Sequence, residues 1–414
     1  MTWSKQQRNV VIAAYLGWTL DAFDFFLMVF MFAEISAELH SSQQLVSTAV
    51  LVTLAMRPVG ALLFGRLADR FGRRPAPMGN ILAYSLLEAA SGFAPNMTSL
   101  LLVRALFGIA MGGEWGVGSA LTMETIAPEA RGFVSGLLQI GYPTGYLLAS
   151  LANYALYDHL GWRGMFLLGV LPGVLVFFIR FGVAESPDWQ ERSSRSRAGF
   201  LDTLLVHWRI AVYAIALMTA FNFFSHGSQD AYPSYFLKGQ HHFDTHLASA
   251  ITAIGNVGAI CGGLLFGFLS QHLGRRRAIV LAALLSLPIL PLWAFSVTPL
   301  LLGLGAFFMQ VAVQGAWGVI PAHLNELSPA DIRGTFPGLV YQLGNLLAAA
   351  NLNVQVWIAG VDGGRFDLAL ALVVGITALI IVALVWLGPE RRDIALGAPP
   401  APAARNSLAS LIEE

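Results

Sequence analysis

Several ionisable residues lie inside long apolar stretches of this sequence: Asp21 and Asp24, Arg57, Arg104, Glu114, and the pair His226 and Asp230. A charge in hydrocarbon costs about 2.5–3.5 kcal/mol on insertion scales, so residues kept there are the first candidates for chemistry. Carboxyls and an imidazole can bind and release protons. A guanidinium can hold a carboxylate through two parallel hydrogen bonds and stays charged in a dry site. Arg57 is therefore the candidate anion anchor; its alternative is a structural ion pair with Asp24 or Glu114. The two are compatible, since an arginine paired with an aspartate can exchange that partner for a bound anion once the aspartate takes a proton. Asp24 is the first candidate for that proton, with Asp21, Glu114 and Asp230 behind it. His226, which titrates near neutral pH when unperturbed, can share the role. The bland alternative for Asp21 is an interfacial helix cap.

Asn222, His226, Gln229 and Asp230 stand at i, i+4, i+7 and i+8, which is one face of a helix. In lipid such a face must look into a cavity or at a partner helix. The functional reading is a cavity wall; the alternative is a seam that glues helices, for which histidine and carboxylate are costly choices. Pro233 just beyond should break or kink the helix. Tyr142 and Gln342, polar groups in glycine-rich stretches, are further candidates to line the cavity.

The elements that must position these groups follow from composition. Of 414 residues, 56% are hydrophobic and 12% charged, with mean hydropathy +0.65; a soluble domain carries about 25% charge. Apolar runs fall near 10–33, 43–66, 75–94, 98–124, 132–156, 163–182, 208–236, 246–270, 276–295, 299–324, 334–359 and 366–388. Each is long enough to span a bilayer as a helix and about twice what a membrane strand needs. The division expected is a first six-helix bundle (1–184), a cytoplasmic linker (185–206), a second six-helix bundle (207–390) and a disordered cytoplasmic tail (391–414).

Orientation follows from basic residues. With the N-terminus cytoplasmic, inside segments hold nineteen Lys and Arg, from Lys5 and Arg8 through linker residues Arg192, Arg195 and Arg197 to Arg405. Outside segments hold three: Arg163, Lys238 and Arg365. The positive-inside rule then places both termini in the cytoplasm of a multi-pass protein of the cell (inner) membrane. Zero net charge and no basic stripe argue against a nucleic-acid partner. The lone Cys261 excludes an internal disulfide, the first apolar run is too long for a cleavable leader, and neither a phosphate-binding loop nor metal-ligand spacing is present.

The halves repeat at an offset of 202 residues. Gly65-Arg-Leu-Ala-Asp69-Arg70-Phe-Gly72-Arg73-Arg74 recurs as Gly267-Phe-Leu-Ser-Gln271-His272-Leu-Gly274-Arg275-Arg276. Gly113-Glu-Trp115-Gly116 recurs as Gly315-Ala-Trp317-Gly318, and Glu124 with Arg131-Gly132 as Glu326 with Arg333-Gly334. The loop residues read as a gate: glycines permit a tight turn between helices, while arginines pair with Asp69 and neighbouring helix ends. Gly65, Asp69, Arg70, Gly72, Arg73, Arg104, Glu124, Arg131, Gly267, Arg275, Glu326 and Arg333 are the gating or structural candidates. A site between two such halves is expected near the midplane.

This repeated loop resembles the hallmark of the major facilitator superfamily. Gly17-Trp-Thr-Leu-Asp21-Ala-Phe-Asp24-Phe and Gly112-Gly-Glu-Trp115-Gly116 resemble its sialate:proton symporter family. Asn222-Phe-Phe-Ser225-His226-Gly-Ser228-Gln229-Asp230, ending at Ser234 where threonine is usual, is similar to the lactate/pyruvate permease branch. The resemblance implies an all-α fold of twelve transmembrane helices in two pseudo-symmetric bundles. It further implies proton-coupled symport of a short monocarboxylate by alternating access, with the proton as coupling ion and no cofactor. Arg104, followed by Gly108 and Gly112, resembles the span-four motif of proton-coupled members. The partners expected are a small organic anion, protons and the lipid bilayer, with the monomer as functional unit. The alternatives are a sialic acid or other sugar-acid carrier, which a cavity of sugar-sized volume would favour, a non-transporting sensor, and an intramembrane enzyme, for which no catalytic pair is present.

Overall fold

The computed structural model describes residues 3–186, 189–190, 199–392, 394 and 396. Arg192, Arg195 and Arg197 of the linker, and the tail from Gly397 with Arg405, lie outside the described residues.

Each apolar run is helical, as it must be where lipid offers the backbone no hydrogen-bond partners. Span one is Lys5–Phe30, span two Gln43–Phe71 and span three Pro75–Gly92. Span four is Met97–Met111 continued by Glu114–Thr125. Span five is Arg131–Gln139 and the first part of Gly141–Leu168. A break at Gly161 (φ 59°) starts span six, which ends with Pro172–Gly182. In the second half, span seven is Trp208–Gln229, span eight Thr245–Leu273 and span nine Arg275–Ala294. Span ten is Pro299–Trp317 with Ile320–Leu327, and span eleven Phe336–Ala348 with Asn351–Val361. Span twelve is Phe366–Leu387. The break expected at Pro233 is a change of helix type: after Asp230 the chain winds as a π-helix, Tyr232–Gln240, with Phe236 and His241 donating five residues back at 3.1 and 3.0 Å.

The halves meet mainly through span two against span eleven and span five against span eight. Glycines set both crossings. A Cβ at Gly65 would lie 2.5 Å from the Thr335 backbone, and one at Gly267 would lie 2.7 Å from Gly136.

On the arginine-rich face these crossings are latched. Asp69 of the first half accepts from Gly334 N (2.8 Å) and the Thr335 hydroxyl (2.5 Å) of the second. Gln271, standing where the repeat loses its aspartate, accepts from Gly132 N at 2.9 Å. An amide oxygen thus serves the same cross-half contact. Behind each latch stands a buried ion pair: Arg73 with Glu124 (3.2 Å) and Asp69 (2.5 Å), and Arg275 with Glu326 (2.8 Å). Arg333 reaches across to Glu124 at 3.8 Å and donates to the Leu396 carbonyl, and Arg131 donates to the Met123 and Ile394 carbonyls. Arg70 is exposed, its guanidinium over the Phe71 ring. Gly72 and Gly274 turn with φ of 122° and 93°, where a Cβ is strained, so the repeated glycines are required by the turn. Glu185, at the start of the linker, accepts from the Arg73 and Arg74 amides that begin span three; Glu390 does the same for Arg275 and Arg276 at span nine.

The opposite face of the first half has its own tie. Arg163 joins Glu38 (2.8 Å) to the Gly92 and Ala94 carbonyls. Hydrogen bonds from Arg163 and Trp162 hold the Glu38 carboxyl below the usual range.

Asp69→Ala should open the latched face. Two hydrogen bonds to a charged group are lost, each worth about 1.5–3 kcal/mol. Thiol labelling of Ser119→Cys, which lies in the seam against Asn325, should rise roughly tenfold or more. Unchanged labelling would show that Asp69 does not hold the face shut.

Candidate functional site

A cavity of about 490 Å³ lies between the halves, away from the latched face. Spans one, two and five supply one wall and spans seven, eight, ten and eleven the other.

Behind the first wall lies a buried charge cluster. Arg57, 4% exposed and lining the cavity, donates to Asp21 at 2.8 Å. Arg104 donates to Glu88 at 2.7 Å and is clasped between the Phe107 and Phe166 rings, at 4.5 and 4.7 Å. Asp24, fully buried, has no hydrogen-bond partner at either carboxyl oxygen among the described residues, and lies within electrostatic range of Glu88, Asp21 and Arg104. Glu114 is buried against Gly17, where a Cβ would meet its Oε1 at 2.0 Å, and its Oε2 has no partner among the described residues. The buried Tyr84 hydroxyl is also without one. Four carboxyls therefore share two guanidinium groups.

The second wall is built of amides and hydroxyls. Gln229 donates to Gln310 (2.9 Å), Gln310 to Ser228 (3.1 Å) and Gln314 to Ser225 (3.3 Å), knitting span seven to span ten. His226 is held at both ring nitrogens, Nδ1 by Asp230 at 3.2 Å and Nε2 by Asn345 of span eleven at 3.0 Å. Asn222, His226, Gln229 and Asp230 all line the cavity, as their spacing predicts. The floor is aromatic. Tyr341 packs on Trp115 (4.8 Å) and Trp317 (5.6 Å), two tryptophans at equivalent places in the repeat, and Trp18 stacks on Tyr142 at 5.6 Å.

The buried, unpartnered polar atoms on cavity-lining residues, among those described, are unbalanced. Three are donors, Arg57 Nε, Trp18 Nε1 and Trp317 Nε1; one is an acceptor, Gln139 Oε1. A buried donor left unmade costs about 1–3 kcal/mol, so the three donors, contributed by both halves, favour a ligand that brings oxygens.

Three expectations change. Arg57 pairs with Asp21, not with Asp24 or Glu114, because Asp21 faces span two. Asp24, three residues on and some 300° further around the helix, is turned toward spans three and four. Asp21 is no interfacial cap: it is 1% exposed in mid-span. Arg104, a gating or structural candidate, pairs with Glu88 in the charge cluster. Gln342 is buried off the cavity; its neighbours Tyr341 and Asn345, one turn apart, line it instead. Glu88 was missed, although an acid inside the run 75–94 is the same signal that singles out Asp24. His323, fully buried with neither nitrogen partnered among the described residues, was missed likewise. No cluster of three or more His, Cys, Asp or Glu residues fit to hold a metal occurs among the described residues.

The Major Facilitator Superfamily model matches residues 14–350 and 215–413. The sialic acid transporter NanX of Escherichia coli is 29% identical over 388 residues, covering 92% of this chain and 95% of that one. A carboxylic acid transporter protein homolog of Saccharomyces cerevisiae is 27% identical over 386 residues, 87% of this chain and 62% of that one. The solved structure of the proton:xylose symporter XylE superposes with a TM-score of 0.77 at 17% identity, covering 95% of this chain and 98% of that one, a likeness of fold. Two latched six-span halves around a central cavity and this family match agree: the chain belongs to the Major Facilitator Superfamily, and it is a multi-pass membrane transporter, not an enzyme.

Proposed function

We propose that the chain is a secondary transporter that carries a small organic acid together with a proton by alternating access. The observation that carries this reading is the cavity-lining Arg57, paired with Asp21, in a cavity whose lining residues Trp18 and Trp317 also carry donors without partners among the described residues. An incoming carboxylate takes the guanidinium by two parallel hydrogen bonds. Asp21 then faces a dry interior without its counter-charge, and taking a proton neutralises it. A monoanion and one proton enter together, and the loaded centre carries the same net charge as the empty one. The halves can then rock about the cavity. Half-loaded states leave an uncompensated charge and are penalised.

The arginine-rich face is the cytoplasmic one on the positive-inside rule, with both termini inside and the monomer as working unit. On this reading the latched face is closed to ligand, which reaches the cavity from the opposite side.

The substrate we favour is of sugar-acid size. About 490 Å³ is ample for a drug-sized ligand, and the amide and hydroxyl wall of spans seven and ten can bond to several hydroxyls. The similarity to a sialic acid transporter along nearly the whole chain supports this. A short monocarboxylate is the second reading, favoured by the Asn222–Ser234 stretch and the similarity to a carboxylic acid transporter homolog.

Arg57→Lys keeps the charge and loses the fork. Losing one charge-assisted hydrogen bond costs about 1.5–3 kcal/mol, so uptake below saturation should fall roughly tenfold or more while the protein still folds. Near-normal uptake of every acid tried would remove Arg57 from the site. Asp21→Asn mimics the protonated partner. In proteoliposomes it should exchange labelled for unlabelled substrate yet fail to accumulate it against a gradient; a variant that still accumulates would clear Asp21 of coupling.

A further inference from the structure

Glu88 belongs to no part of the proposed transport cycle, yet it is fully buried and holds one of the two guanidinium groups of the cluster. The geometry points to Glu88 as a positioning residue: by engaging Arg104 it keeps that arginine from Asp24, so that Asp24 holds a proton in reserve for Asp21. This deepens the proton-symport reading and rests on it.

Three observations meet here. Asp24 is buried with both oxygens unpartnered among the described residues, a state a carboxyl tolerates with its proton on and not as a bare anion. Arg104 is the nearest source of relief, within electrostatic range of Asp24, but its Nη2 is spent on Glu88 at 2.7 Å and its Nε has no partner among the described residues. Phe107 and Phe166 flank the Arg104 guanidinium, and Glu88 itself is pressed by Gly169, where a Cβ would come 2.1 Å from its Cγ. Asp24 is one turn from Asp21 on span one. When an anion takes Arg57, the acid that must gain a proton is adjacent to the acid that holds one, and the proton passes from the Asp24 carboxyl to the Asp21 carboxylate. Asp24 then refills from solvent, so that one proton enters for each monoanion bound.

The other charged and titratable groups around this centre are Asp21 on span one, Arg57 on span two, Tyr84 on span three and Glu114 on span four. Spans five and six bring aromatic rings, Tyr142, Tyr146 and Phe166. Glu114 is a second carboxyl near Asp21. It does not share Arg104, so it serves as an internal control.

Infrared pH titration of the purified protein in lipid, without substrate, reads carboxyl protonation directly. The band of interest is the one that disappears in Asp24→Asn. In Glu88→Gln, Arg104 is left to Asp24 alone, and the midpoint of that band should move to more acid pH by about 1–3 units, the effect of an adjacent guanidinium. Glu88→Asp, which restores a carboxylate, should stay near the wild-type midpoint. Gly169→Ala displaces Glu88 without removing any ionisable group and should move the midpoint the same way as Glu88→Gln; it carries the test if Glu88→Gln folds poorly. The band that disappears in Glu114→Gln should not move in either. A Glu88 that acts only through its own charge would move the midpoint in Glu88→Gln and not in Gly169→Ala, and a merely structural one would move it in neither; either result overturns the proposal. Proton uptake by wild-type proteoliposomes is measured in parallel. If no organic acid drives proton entry, the symport reading fails, while the position of the Asp24 band still decides what Glu88 does to Arg104.

Discussion

A guanidinium buried among membrane helices is tolerated only while a carboxylate faces it, and removing one partner of such a pair costs about 3–5 kcal/mol. Within the cluster beside the cavity, Arg57 meets that condition with Asp21 and Arg104 with Glu88, as Arg73 does with Glu124 at the latched face. Most of what distinguishes this chain stems from the constraint. Arg57 pairs with Asp21 in the empty cavity. On the function proposed above, an anion that binds Arg57 displaces Asp21, the displaced acid is neutralised by a proton, and binding and protonation are linked by the same electrostatic demand.

The two halves repeat their scaffold but not their chemistry. Asp69 and Gln271 are separated by the repeat offset of 202 residues and make the same cross-half contact to the amides of Gly334 and Gly132. Trp115 and Trp317, at the same offset, both pack on Tyr341. Asp24 and His226 are equivalent too, yet Asp24 sits in a charge cluster, unpartnered among the described residues, while His226 is tied at both nitrogens. One half supplies buried charge, paired as Arg57 with Asp21 and Arg104 with Glu88. The other supplies amides and hydroxyls that are satisfied among themselves and can be turned to a ligand's oxygens. An asymmetric solute between pseudo-symmetric halves fits this division.

The twelve spans were legible because lipid allows one solution for a run of twenty apolar residues. The turn glycines Gly72 and Gly274 were legible because positive φ leaves few choices. The polar face of span seven was legible because i, i+4 spacing fixes which residues share a side. What the sequence could not provide was the rotation of one helix against another. That rotation decides that Asp21 and not Asp24 meets Arg57, and that Tyr341 and Asn345 rather than Gln342 reach the cavity. The latch at Gln271 was equally hidden, since the loss of a carboxylate reads as the loss of a contact until the accepting oxygen is seen. Glu88 differs: as an acid within an apolar run it carries the same signal as Asp24, and only its pairing with Arg104 depends on how spans three and four pack.

The claim on which the rest depends is that Arg57 binds the solute's carboxylate and that a proton enters with it. Purified protein in liposomes with a trapped pH-sensitive dye, clamped at zero membrane potential, tests it most directly. Sialic acid and lactate are added outside in turn, at the same pH inside and out. The result expected is acidification of the lumen with at least one acid, above the protein-free leak and abolished in Arg57→Ala, with sialic acid the stronger of the two. Uptake of either acid without acidification, or acidification that persists in Arg57→Ala, would contradict it.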